Sequence, residues 1–158
     1  MSLAICSNSF RHNHTIPASH TCDGNDLSPH LAWSGLPRET KSLVLIVDDP
    51  DAPDPAAPKM TWVHWLLYNI PATTSSLQEG IQEQDLPQGI LHGLNDWKQT
   101  GYGGPCPPIG CHRYFFKLYA LDTLLPDLGT PDKPALEQAM QDHILAKAQL
   151  VGTYERSR

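Results

Sequence analysis

Apolar side chains run unbroken from position 43 to 47 (LVLIV), and a second run at 62–70 (WVHWLLYNI) is interrupted only by His64 and Asn69. Both runs are too short and too rich in β-branched and aromatic residues for independent helices. Residues 41–48 therefore read as a strand buried on both faces, and residues 62–70 as a second core strand. Residues 112–121 (HRYFFKLYAL) form a third long strand, residues 3–7 and 28–33 supply shorter ones, and 89–94 a weaker one. Near the C-terminus the period changes, with Leu136, Met140 and Ile144 spaced by four and Ala139 and Ala148 beside them, as in one amphipathic helix. Thr130 or Asp132 can cap it, Pro134 fits its first turn, and residues 151–155 return as a last short strand. The pattern predicts a mainly β fold of two packed sheets, with one C-terminal amphipathic helix and short helical turns.

A chain of 158 residues without repeats or a low-complexity linker is expected to form one domain over 1–158, with a core that needs no staples. Seventeen acidic against 11 basic residues give a net charge of -6, which argues against nucleic acid or an anionic membrane as partner. No stretch approaches the roughly 20 apolar residues of a membrane span, and the opening MSLAICSNSF has no basic leader, so a soluble, cytoplasmic protein is expected. Cys6, Cys22, Cys106 and Cys111 have no CxxC spacing. A reducing compartment would leave them as thiols, and a Cys106–Cys111 bridge is the alternative in an oxidising one.

The loop after the first core strand changes this plain picture. Residues 48–58 (DDPDAPDPAAP) hold four aspartates and four prolines, more carboxylates than a chain reversal needs. In an extended backbone Asp49 and Asp51 point to the same side. His64 lies at the start of the second core strand, and His112 opens the third, with Tyr114 on its face by the period of two. If these strand ends meet, two carboxylates, two imidazoles and a phenol converge. Each also has a plainer reading: the aspartates as turn caps around Pro50 and Pro53, the histidines as hydrogen-bonded core residues, Tyr114 as core. The run GYGGPCPPIG before His112 reads as a long turn or a functional loop.

Three motifs in order carry a resemblance. DPDAP at 49–53, W-x-H at 62–64 followed by an apolar strand and Asn69, and PPxG-x-HRY at 107–114 resemble the phosphatidylethanolamine-binding protein family, which includes Raf kinase inhibitor protein. CDGNDLSPHLAW at 22–33 resembles its bacterial branch. The resemblance implies a two-sheet β fold with a small anion-binding pocket rather than an enzyme. That pocket would be lined by Asp49, Asp51, His64, Pro107, Pro108, His112 and Tyr114, with Trp62 as a wall. Mammalian members have a glycine before the Pro-Pro pair, where this chain has Cys106. The shorter spacing from Pro-Pro to HRY, and a chain that stops at Arg158, imply a more open pocket without a covering C-terminal helix. The bacterial branch implies a homodimer, and the family implies a second cis bond at Met60–Thr61 beside the one expected at Ala52–Pro53.

The expected function is thus a binding protein for a small anionic or phosphorylated ligand such as phosphoethanolamine, without metal or other cofactor, and a regulator or inhibitor of a protein partner. Two ionised carboxylates would repel a phosphate unless the histidines are protonated, the aspartates are used up in internal hydrogen bonds, or the ligand brings an ammonium. The second arrangement is expected, with His64 and His112 partly cationic near neutrality. A metal-dependent hydrolase using the two Asp and two His is the competing reading, though no HxH or HExxH spacing accompanies them. A nucleophile at Cys106 or Cys111 with His112 is weaker still, since neighbours on a strand face opposite ways and Cys111 would point away from His112.

Overall fold

Leu43, Val44, Leu45 and Ile46 are wholly buried in the middle of the strand Ser42–Ala52. Strand neighbours point to opposite faces, so a run with no exposed member needs apolar layers on both sides. The computed structural model, which describes residues 2–156, supplies both. Its elements are β1 (Ala4–Cys6), β2 (His14–Thr15), β3 (Leu31–Ser34), β4 (Ser42–Ala52), β5 (Met60–Pro71), β6 (Ser76–Leu77), β7 (Leu91–His92), β8 (His112–Leu121), α1 (Lys133–Met140) and β9 (Ile144–Tyr154), with 3-10 turns at Ala18–His20 and Glu83–Asp85.

β4 sits inside a six-stranded sheet of order β2-β9-β8-β4-β5-β7, antiparallel to both β8 and β5. One face of that sheet, with Leu43, Leu45, Val47, Phe116 and Leu118, meets Ile5, Leu31, Trp33 and Leu77 of the three-stranded sheet β1-β3-β6. On the other face Val44, Ile46, Leu66 and Tyr68 pack on Leu136 and Met140 of α1. The fold is mainly β, two sheets with one helix, as the apolar pattern predicts.

The helix is shorter than its spacing suggests. Asp132 caps it by accepting from the Ala135 N–H at 3.0 Å, but it ends at Met140, and Ile144 and Ala148 belong to β9. Asp142 turns the chain with φ +70°, and β9 then pairs with the whole of β8, from Leu121↔Ile144 to His112↔Tyr154. A full antiparallel ladder outweighs one more helical turn, whose stability rests on packing rather than propensity. The last strand is accordingly far longer than 151–155, and the weak strand at 89–94 contracts to β7.

The acidic loop is part of β4 itself. Asp49 pairs with Trp62 and Ala52 with Met60, so two residues of β4 oppose one of β5 and the strand bulges at Pro50–Asp51. Ala52–Pro53 is cis, as expected; Met60–Thr61 is not among the cis bonds of the described residues, which corrects that expectation. The cysteine reading also needs correction: Cys22 is bridged to Cys106, across 84 residues, while Cys6 and Cys111 are free and exposed. The Cys22 N–H donates to the Pro105 carbonyl at 3.1 Å, so the fold lays these two loops together, a proximity that sequence spacing could not reveal.

Candidate functional site

The C-terminal end of β4 and the first residues of β5 and β8 surround a cavity of about 430 Å³. β4 and the turn after it contribute Asp49, Ala52 and Pro53; β5 contributes Met60, Trp62 and His64; β8 contributes His112 and Tyr114. Two loops close the ring with Trp97 and with Cys106, Pro107 and Pro108. Met60 and Trp97 are exposed for a large part of their surface and stand at its rim.

The bulge decides what the two aspartates do. Asp49 turns its Oδ1 back to accept from the Asp51 N–H at 2.7 Å, and its Oδ2 faces His112 Nδ1 at 2.5 Å. Asp51 leaves the cavity altogether. Its carboxylate accepts from the Arg113 backbone N–H at 2.9 Å, from Nε at 3.0 Å and from Nη2 at 2.9 Å. Those guanidinium hydrogen bonds hold the Asp51 carboxyl below the ordinary range, against its partial burial. Asp51 therefore does not line the cavity, correcting the expectation from strand alternation: the bulge breaks the period of two.

His112 is occupied on both sides. Nδ1 faces the Asp49 carboxylate, and Nε2 lies 3.1 Å from the Pro53 carbonyl and 2.8 Å from that of Ile109. All these partners only accept, and a neutral imidazole has one N–H to give, so the arrangement is satisfied in full only by the imidazolium. The Asp49–His112 pair is buried, and with both ring nitrogens engaged His112 offers the cavity no free N–H.

Among the described residues, the Trp62 and Trp97 indole N–H groups at the cavity wall make no hydrogen bond, and two buried side chains, His64 and Tyr114, also keep a polar atom for a ligand. His64 donates from Nδ1 to the Gly103 carbonyl at 2.7 Å, which leaves Nε2 without a protein partner and, in the neutral ring, as an acceptor. Burial lowers the His64 pKa, with the Gly103 hydrogen bond and Asp49 acting against it. The expectation of a partly cationic His64 near neutrality is thereby corrected: desolvation outweighs the nearby carboxylate. Tyr114 is 1% exposed and its hydroxyl has no hydrogen-bond partner. Burial pushes the Tyr114 pKa far up, so the phenol keeps its proton and remains a donor. The two rings meet edge to face at 5.2 Å.

Trp97 is the main lining residue that the sequence reading missed. Its ring meets Trp62 at 5.6 Å and His64 at 5.1 Å, both edge to face. Asn95 places it by folding the loop, accepting from the Trp97 and Gln99 N–H groups at 3.0 and 3.1 Å and donating to the Gly101 carbonyl at 3.1 Å. Gly103 follows, and a Cβ there would sit 2.4 Å from the Trp97 ring. An Asn two positions before a Trp and a Gly-rich stretch after it is an Asx-turn signal that could have drawn attention to Trp97.

The donor set assumed for a metal hydrolase does not assemble. Asp49 and His112 are committed to each other, Asp51 to Arg113, and among the described residues no group of three or more His, Cys, Asp or Glu is arranged to hold a metal ion.

Comparison with known proteins agrees with this architecture. The family model described as phosphatidylethanolamine-binding protein matches residues 6–155. A UPF0098 protein of Methanothermobacter thermautotrophicus is 46% identical over 151 residues, covering 95% of this chain and 97% of its own. The crystal structure of a phosphatidylethanolamine-binding protein homologue from Chlamydia trachomatis superposes with a TM-score of 0.90 at 42% identity, covering 99% of each chain. That of YbcL from E. coli, described as a member of the mammalian family, gives 0.88 at 33% identity over 99% of this chain and 100% of its own.

Proposed function

The chain belongs to the phosphatidylethanolamine-binding protein family, and we propose that the cavity between β4, β5 and β8 receives a small anionic group, a phosphate monoester or its equivalent. The observation that carries this reading is the Tyr114 hydroxyl, buried and unpartnered among the described residues, on a ring that meets the His64 ring at 5.2 Å in a cavity where Asp49 and His112 already hold each other. A buried donor without a partner costs about 1–3 kcal/mol, which a ligand oxygen would recover.

The proton balance fits a phosphate. Tyr114 donates one hydrogen bond. The second contact needs one proton between His64 Nε2 and a ligand oxygen, and it comes with either partner: a protonated His64 facing a dianion, or a neutral His64 accepting from the P–OH of a monoanion. The Asp49 carboxylate, which alone would repel the ligand, is engaged by His112 Nδ1 at 2.5 Å and by the Asp51 N–H at 2.7 Å, the internal hydrogen bonding that frees the cavity for an anion. Trp62, Trp97, Pro107 and Pro108 give the remainder of the cavity apolar walls, suited to the carbon skeleton that carries the phosphate.

Calorimetric titration with phosphoethanolamine, inorganic phosphate and ethanolamine tests the proposal. Phosphoethanolamine and phosphate should compete for one site, and ethanolamine should displace neither. Displacement of phosphate by ethanolamine, or no binding of either phosphate compound, would overturn it.

A further inference from the structure

A second cavity, of about 250 Å³, shares no lining residue with the first. Its walls come from the segment before β3 (Asp26, Ser28), the turn after β6 (Ile81, Glu83) and His92 of β7, over Trp65 and Leu86. Its polar atoms are unusual in what they lack. Ser28 is 4% exposed, and its hydroxyl oxygen is buried without a hydrogen-bond partner. His92 Nδ1 is likewise buried and unpartnered, while its Nε2 lies 3.2 Å from Glu83 Oε1.

The chemistry of those atoms defines a complement. A carboxylate only accepts, so in the neutral ring the proton of His92 sits on Nε2, and Nδ1 is a bare acceptor. Ser28 Oγ can accept as well. Asp26 uses Oδ1 to receive the Gly104 N–H at 2.9 Å, and it shares the lining with Glu83. Among the described residues no Lys or Arg lines this cavity. Acceptors and negative charge without a cation call for a ligand rich in N–H donors and positively charged, and the surfaces of Trp65, Ile81 and Leu86 call for a short apolar chain. At about 30 Å³ per water, the space corresponds to roughly eight water-sized groups.

We propose that this cavity is a binding site for a small aliphatic amine. Its ammonium hydrogens go to Ser28 Oγ, His92 Nδ1 and a carboxylate of Asp26 or Glu83, and its chain lies on Trp65. The site is separate from the anion cavity in residues and in charge.

Water could satisfy the same atoms, but water does not need the charge, and this separates the two outcomes. In phosphate-saturated protein, 1,4-diaminobutane should produce saturable amide NMR shifts at Gly80, Gln82 and Gly101, whereas 1,4-butanediol, of matching length and uncharged, should not. Ser28→Ala and Glu83→Gln should each weaken diaminobutane about tenfold, and His64→Gln should leave it unchanged. The Glu83 side chain is 71% exposed, so its substitution does not threaten folding. Absence of saturable shifts, equal binding of the diol, or wild-type affinity in both variants overturns the proposal. Failure of the anion reading would show instead at His64 and Tyr114, which these amines do not touch.

Discussion

His112 Nδ1 lies 2.5 Å from Asp49 Oδ2, with the His side chain 1% and the Asp side chain 4% exposed. Removing one member of a buried pair strands the other, at a cost of about 3–5 kcal/mol. His112→Ala should therefore lower the free energy of unfolding in urea by about that amount. Asp49→Asn should also destabilise, and the double variant should lose less than the sum of the two. Additive losses would show that the two side chains do not act as a pair.

The Asp51–Arg113 pair should behave differently, because the Arg113 side chain is 55% exposed. Screening limits such a pair to about 1 kcal/mol or less. The Asp51 pKa is depressed in the folded chain, chiefly by hydrogen bonds from Arg113. Its contribution is thus present above the unfolded carboxyl value of about 3.9 and is lost as pH falls through the folded value. The stability gap between wild type and Asp51→Asn, measured by urea denaturation, should be constant from pH 7 to 5 and shrink below pH 4.

For His64 the direction is reversed. Burial lowers its folded pKa below the usual 6.5, so below that pH the unfolded chain binds more protons and stability falls. In phosphate-free buffer the melting temperature should drop between pH 7 and 5.5, by less in His64→Gln. Phosphate affinity should run the other way, rising as pH falls from 8 to about 6, since the second contact needs a proton that neither a neutral imidazole nor the dianion carries.

The Cys22–Cys106 bridge closes a long loop, spanning 84 residues of sequence. A chain-entropy estimate for such a loop is about 4–5 kcal/mol. Denatured, unreduced protein should show two reactive thiols, Cys6 and Cys111, and Cys106→Ser should melt well below wild type. Four thiols without reductant would contradict the pairing.

What the sequence disclosed follows from how local each signal is. The strands around 43–47, 63–68 and 112–121 were legible because their burial on one or both faces is written into consecutive residues. The helix end was not, since Leu136, Met140 and Ile144 keep a helical spacing across a turn at Asp142 that only pairing with β8 explains. At the cavity, the positions of Asp49, His64, His112 and Tyr114 follow from strand ends. The departure of Asp51 depends on a bulge, the disulfide on two loops meeting, and the lowered pKa of His64 on how deeply the assembled fold buries it. Each of those is a long-range property.

The account turns on the Tyr114 hydroxyl, and Tyr114→Phe isolates it by removing one oxygen and nothing else. The free protein should fold as well as wild type or better, because the deleted hydroxyl has no partner to lose. Calorimetric titration with inorganic phosphate at pH 6.5 should then show affinity reduced by about 10- to 100-fold, the equivalent of one hydrogen bond to a charged group, roughly 1.5–3 kcal/mol. Phosphate binding in Tyr114→Phe as tight as in wild type would contradict the account and return Tyr114 to the core.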